Sequence, residues 1–175
     1  MKSPLGIEIY DDEFTKAQRD AFWEFVKVSR FIVSGKDVEV IESPTKNIPF
    51  LISEWSEEDI RSFNIFSQIH NTKLTDNIKS KTLVRCLVNL DTLREIHHVH
   101  THPHQHVLLY QANPEWRPEW YGETLFYDDN AKDVIYTNEY TPGRLIWFDG
   151  NIPHTFRPPS QIAPFFRFTV SMFFK

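Results

Sequence analysis

From Lys81 to the C-terminus the chain is a series of short β-like runs, each closed by a turn signal, and this rhythm limits the fold more than any other feature. The runs span 83–89, 96–101, 107–112, 123–127, 134–137, 144–148 and 165–173. Asn113-Pro114, Asp128-Asp129-Asn130, Thr141-Pro142-Gly143, Asp149-Gly150 and Pro158-Pro159-Ser160 separate the later ones. In the first run, alternation sets Arg85, Leu87 and Asn89 on one face and Val84, Cys86 and Val88 on the other. The preceding residues read differently. Residues 6–10 alternate like a short strand, and Asp11-Asp12-Glu13 places carboxylates where the positive end of a helix over about 14–30 would sit. Its apolar positions Phe14, Ala17, Ala21, Phe22, Phe25 and Val28 follow helical spacing and read as core. Residues 31–55 carry strand-like runs at 38–41 and 50–52, but Pro44 and Pro49 suggest irregular cover or edge structure. Ser56 before Glu57-Glu58-Asp59 predicts a capped helix running to about Ile69. About seven strands after two helices imply an α+β domain, mainly β, in which a β-sandwich or open barrel carries helices outside. We expect one domain over 1–175, with 1–80 as helical and irregular cover and 81–175 as the β core.

The chemistry is concentrated in His97-His98-Val99-His100-Thr101-His102-Pro103-His104-Gln105-His106, six of the eight histidines, with a remote seventh in Ile152-Pro153-His154. Neutral imidazole is the commonest side-chain ligand for transition metals. Residues i and i+2 of a strand share a face, so His98 with His100, or His100 with His102, can grip one ion, and Pro103 ends the strand there. His154 supplies a third ligand from a distant segment. Three ligands on one side leave positions open, as in a catalytic rather than a closed structural site. A surface strand of alternating histidines also binds nickel or zinc adventitiously, so the tract alone leaves both readings open. His70, at a helix end, reads as a dipole and solvent residue.

Composition removes several classes. A formal charge of -5 gives no basic stripe for nucleic acid. A single cysteine, Cys86, excludes an internal disulfide framework and a cysteine-based zinc motif. No stretch approaches a membrane span, and the expected location is cytoplasmic.

Four downstream segments resemble the Fe(II)- and 2-oxoglutarate-dependent oxygenases, in particular the prolyl-4-hydroxylase-like branch with its short bacterial and phage members. They are Leu108-Leu109-Tyr110-Gln111-Ala112-Asn113-Pro114-Glu115-Trp116, Trp120-Tyr121-Gly122-Glu123-Thr124-Leu125-Phe126-Tyr127, residues 142–154 from Pro142-Gly143-Arg144 through Asp149-Gly150 to Pro153-His154, and Arg167-Phe168-Thr169. Their order and spacing agree with the family over roughly 81–175. The resemblance implies a double-stranded β-helix of jelly-roll or cupin-like type, Fe(II) as metal, and 2-oxoglutarate as cosubstrate. In that frame His154 matches the distal histidine ligand, Arg167 the basic residue for the far carboxylate of 2-oxoglutarate, and Thr169 the hydroxyl of an Arg-x-Ser type motif. Tyr110 or Gln111 can touch 2-oxoglutarate, since alternation lets only one of them face inward; Tyr110 is the one we carry forward. The last run agrees on its own terms. Arg167, Thr169 and Ser171 share one face, so an inward arginine requires an anionic partner, either a cosubstrate carboxylate or an internal Asp or Glu.

The departure from the family lies in the first ligand pair. The family carries His-x-Asp or His-x-Glu, whereas no carboxylate occurs from Ile96 to Asn113. His100-Thr101-His102 fills the slot in our preferred register, and His98-Val99-His100 in the alternative. Either one implies an all-histidine triad. The leading expectation is therefore a dioxygenase that uses O2 and 2-oxoglutarate to hydroxylate a small molecule or a peptide or protein side chain, releasing succinate and CO2. The alternatives are a three-histidine, cupin-type dioxygenase that does not use 2-oxoglutarate, and a non-catalytic metal or ligand-binding module. Arg85 and Asn89 are candidates for the cavity wall or for a stabilising role. Trp116, Trp120 and Tyr121 read as entrance or cap, Glu123 as strand-edge structure and Asp149 as a turn residue.

Overall fold

A computed structural model describes residues 6–34, 39–40, 50–93, 98–164 and 166–175. The strands are β1 (Glu8–Tyr10), β2 (Ile32–Ser34), β3 (Glu39–Val40), β4 (Phe50–Glu54), β5 (Leu83–Asp91), β6 (His100–Thr101), β7 (His106–Gln111), β8 (Thr124–Tyr127), β9 (Val134–Asn138), β10 (Leu145–Asp149), β11 (His154–Phe156) and β12 (Arg167–Phe174). The helices are α1 (Lys16–Val26), α2 (Glu57–Phe63) and α3 (Thr72–Lys79). One sheet has seven strands in the order β1-β10-β7-β12-β5-β4-β2, and the other has five in the order β3-β6-β11-β8-β9. Every pairing is antiparallel. This is the mainly β, jelly-roll architecture with flanking helices that the strand rhythm and the resemblance implied.

The alternation along β12 shows how the layers form. All eight of its residues are buried, because both faces of the strand are covered. Phe168, Val170, Met172 and Phe174 join an outer cluster with Phe14, Phe22, Val26, Phe63 and Leu74, which lies between the seven-stranded sheet and the helices. Phe173 points the other way, into an inner cluster with Leu87, Val107, Leu109, Ile146, Phe148 and, from the five-stranded sheet, Phe126. The interior between the sheets is therefore apolar towards this end. Towards the start of β12 it becomes polar, with Arg167, Thr169 and Ser171 on the inward side.

The N-terminal half departs from expectation in four places. Asp11-Asp12-Glu13 does not begin the helix. Thr15 caps α1 in a capping box with Gln18, while the two Asp11 oxygens accept from Arg144 at 2.7 and 2.9 Å and Glu13 accepts from the backbone N–H groups of His70 and Asn71. The buried stripe of α1 is also rotated. Phe22 and Val26 are buried and Trp23 packs edge-on against Phe168, whereas Ala17, Ala21 and Val28 are exposed. β4 sits between β5 and β2 inside the sheet rather than at an edge. Pro44 and Pro49 lie before its first residue and outside the described residues, so every N–H of Phe50–Glu54 is available for pairing. Last, the helix begun at Ser56 ends at Phe63, where Asn64 turns into the left-handed region with φ 51°, and α3 follows unannounced.

Candidate metal centre

β11 pairs with β6 so that His154 lies directly opposite His100, and opposed residues of an antiparallel pair project to the same face. His102 follows at i+2, and the chain then reverses, with His104 at φ 61°, into β7. Gly150 holds this reversal against the turn that precedes β11. Its carbonyl accepts from the His102 N–H at 2.7 Å, and its N–H donates to the Gln105 carbonyl at 2.8 Å. A Cβ at position 150 would sit 2.5 Å from the His102 carbonyl oxygen, so only glycine permits the approach. The outcome is a cluster of His100, His102 and His154 in which one ring nitrogen from each lies within 4.8 Å of the others.

The hydrogen bonds select the ligand atoms. Nδ1 of His154 lies 2.7 Å from the Ile152 carbonyl, and Nδ1 of His100 lies 2.9 Å from the His98 carbonyl. A carbonyl only accepts, so Nδ1 carries the proton in both rings and Nε2 is left as a lone-pair donor, the arrangement that orients metal-ligating histidines elsewhere. Phe126 and Phe148 pack around His154, and Phe173 packs on His102 with ring centroids 4.7 Å apart. Burial, aided by His100 and the Arg85 cation, pushes the His102 imidazolium down to about 3. Burial likewise holds His154 well below 6.5, with His100 and His102 contributing. Both rings are therefore neutral ligands. Three imidazole nitrogens suit iron, zinc, copper or nickel, and such ligands bring no negative charge to a divalent ion.

These shifts give a pH prediction. Both folded-state values lie below 6.5, so the unfolded chain binds more protons as the pH falls. The contribution is complete above about pH 7 and is lost progressively as the pH falls from 6.5 towards the folded-state values. Urea unfolding of the metal-free protein is expected to lose about 1.4 kcal/mol per pH unit for each of the two histidines below that point. A stability unchanged between pH 7.5 and 5 is the contrary result.

The three residues expected to hold 2-oxoglutarate have separate fates. Arg167 is inward and 1% exposed, but its Nη1 donates to Asp91 Oδ2 at 2.6 Å and its Nε to the Gly122 carbonyl at 2.9 Å. The ring of Phe156 lies 4.3 Å from its guanidinium carbon and that of Tyr140 lies 5.3 Å away. Gly122, at φ 88°, allows this packing, since a Cβ there would come within 3.2 Å of the Arg167 side chain. Thr169 is also inward, and its hydroxyl accepts from Asn89 Nδ2 at 3.2 Å. Tyr110 faces away from the interior. It lies in the outer cluster, edge-on to Phe14 and Phe22, and its buried hydroxyl has no partner. Gln111 is the inward member of that pair of residues, with its amide towards Asn138 at 3.4 Å and its oxygen accepting from the Thr141 N–H at 2.6 Å. Tyr110→Phe is therefore expected to leave metal binding unchanged and to raise stability by up to ~1 kcal/mol, through loss of an unpaired buried hydroxyl. Thermal unfolding with and without metal checks both.

The remaining candidates settle into supporting roles. Arg85 pairs with Glu54 at 3.1 Å, and Asn89 donates to Thr169 and Ser171 inside the barrel. Trp116 packs against Tyr140 and Trp120, Tyr121 lies under Arg157 at 3.5 Å, Glu123 faces Arg157 at 3.6 Å, and Asp149 accepts from Asn151 within the turn. Of the other tract histidines, His106 stacks on Trp147 of the outer cluster, His98 contributes its carbonyl, and His97 lies outside the described residues. His70 is exposed at a loop. Sequence reasoning missed Asp91, although extending the alternation of Arg85, Leu87 and Asn89 by one step puts it inward.

No protein-family model matches the chain, and no curated protein matches it by sequence. Solved structures do. A prolyl hydroxylase from Trichoplax adhaerens, in complex with a hypoxia inducible factor oxygen degradation domain peptide fragment, is 15% identical, with a TM-score of 0.65 over 98% of this chain and 84% of its own. A 2OG-Fe(II) oxygenase family oxidoreductase from Burkholderia pseudomallei is 10% identical, with a TM-score of 0.66 over 97% and 85%. HygX from Streptomyces hygroscopicus, with nickel and 2-oxoglutarate bound, is 7% identical, with a TM-score of 0.63 over 97% and 83%. The chain thus has the fold of the prolyl hydroxylases and 2OG-Fe(II) oxygenases, and it carries a histidine triad able to hold a metal. No helix among the described residues is long and apolar enough to cross a membrane.

Proposed function

We propose that the protein is a non-haem, Fe(II)-dependent dioxygenase, with His100, His102 and His154 as the iron ligands. The convergence of the three imidazoles within 4.8 Å carries the reading. The chemistry that bound Fe(II) supplies is activation of O2 for attack on an organic substrate. The chain's own part is orientation and exclusion of water. The carbonyls of Ile152 and His98 fix two ring tautomers, and Phe126, Phe148 and Phe173 dry one side of the site.

Within this class, a 2-oxoglutarate-dependent hydroxylase acting on a small molecule or a peptide side chain draws support from the fold likeness to a neighbour holding nickel and 2-oxoglutarate. The second reading is a three-histidine dioxygenase acting without 2-oxoglutarate, and one contact bears on the choice. The cation expected to receive the far carboxylate already has one, from Asp91. The residues present fit the metal, and beside the Nε and Nη1 bonds the Arg167 guanidinium keeps Nη2 for a ligand carboxylate. Anaerobic calorimetry with Fe(II) tests the class, and absence of stoichiometric binding at pH 7.5 rejects it. Admission of O2 then separates the two readings, since only the first forms succinate from 2-oxoglutarate.

A further inference from the structure

The barrel interior contains two charge centres in series. His154 and Phe156 are alternate residues of β11 on the same face, and Phe156 contacts the Arg167 guanidinium. The arginine therefore lies one layer deeper than the triad. At the upper layer a divalent ion held by His100, His102 and His154 would have no carboxylate beside it among the described residues. At the lower layer Arg167 and Asp91, with side chains 2% and 3% exposed, neutralise one another at 2.6 Å. The arrangement asks for negative charge at the metal end and has no use for more below it.

At the level of Phe156 stands Thr124. It pairs opposite Phe156, two residues from Phe126, whose ring contacts His154, so its side chain shares the inner face. Its Oγ1 is buried and has no hydrogen-bond partner. Such an atom can satisfy a neutral group of a ligand. A ligand carboxylate brought to Arg167 would meet a guanidinium whose Nη1 is already held by Asp91, with Nη2 left to offset the repulsion between the two carboxylates.

We infer that Asp91 sets the charge selectivity of the chamber: by neutralising Arg167 it admits a metal-chelating ligand that is anionic at the metal end and uncharged at its far end. The inference rests on the reading of the triad as a metal site. The ligand class comprises 2-oxo acids with uncharged chains and other anionic chelators of that shape, in place of a dicarboxylate. Asp91 acts through Arg167 and is a positioning residue.

The test compares 2-oxoglutarate with 2-oxopentanoate, which replaces the far carboxylate by a methyl group on a chain of the same length. Both are titrated anaerobically into Fe(II)-loaded protein and followed by calorimetry. Wild type is expected to bind 2-oxopentanoate at least as tightly as 2-oxoglutarate. In Asp91→Asn, which leaves the Arg167 cation uncompensated, the ratio of the two dissociation constants is expected to move towards 2-oxoglutarate by tenfold or more. A more than threefold preference of wild type for 2-oxoglutarate overturns the inference, as does uptake of iron followed by binding of neither acid. A folded Asp91→Asn protein with an unchanged ratio overturns it too. If Asp91→Asn does not fold, the wild-type comparison decides alone. Failure to bind Fe(II) at all strikes instead at the metal site itself.

Discussion

Replacing His154 by alanine is expected to remove Fe(II) binding in the micromolar range while leaving the fold in place. Loss of a group that merely orients a metal ligand costs about 10–100-fold in affinity, and loss of the ligand itself costs more. His154 is also the member that comes from a separate segment of the chain, so His100 and His102 alone form an incomplete bidentate grip. The variant leaves a small cavity among Phe126, Phe148 and the neighbouring rings, which lowers stability modestly. The readout is the metal-dependent rise in melting temperature. Wild type at 100 times its dissociation constant gains about 2.7 kcal/mol, and the variant is expected to gain nothing. His102→Ala is expected to behave in the same way, whereas His98→Ala, which keeps the carbonyl that His100 uses, retains the rise. A His102→Ala protein with full iron affinity, paired with loss in His98→Ala, would move the site to the other register.

Arg167→Ala is expected to act first on stability. The substitution takes the Arg167 cation away from an Asp91 side chain that is 3% exposed in the native protein, and removing one partner of a buried pair costs about 3–5 kcal/mol. At roughly 2–4 °C per kcal/mol for a chain of this size, the metal-free protein should melt about 6–20 °C lower. The paired change Asp91→Asn with Arg167→Met removes both charges and keeps much of the volume, so it is expected to recover most of the loss. A single variant that melts within 2 °C of wild type would show, at about that precision, that the ion pair contributes little to the native state. The effect on a bound dicarboxylate, the role the resemblance gave Arg167, is then measured on the portion that remains folded.

The reach of the sequence differed from element to element. Strands with one apolar and one mixed face were readable, and the opposite orientations of Cys86 and Leu87 on β5 followed from alternation alone. β7 resisted the same treatment because both its faces are buried, so a period of two gave no phase and left Tyr110 and Gln111 equivalent. α3 escaped because its eight residues are mostly polar and only Leu74 is buried. β11 escaped because it is three residues long and directly follows Pro153. In the site, the i, i+2 spacing made His100 and His102 candidates. The Asp91 partner of Arg167 lies 76 residues away, a pairing set by the register of β5 against β12 and by nothing local.

Gly150 fastens the His102 reversal and the entry to the His154 strand to each other through both its N–H and its carbonyl. Two segments separated by nearly fifty residues of chain are thereby assembled before any ion arrives. Sites that fold around their metal bury fresh apolar surface as they load and announce it by a fall in heat capacity. With the two segments already joined, loading is expected to close no new surface. The binding enthalpy should thus be nearly independent of temperature between 10 and 35 °C, and the heat released should belong to the coordination bonds and the displaced water rather than to the chain.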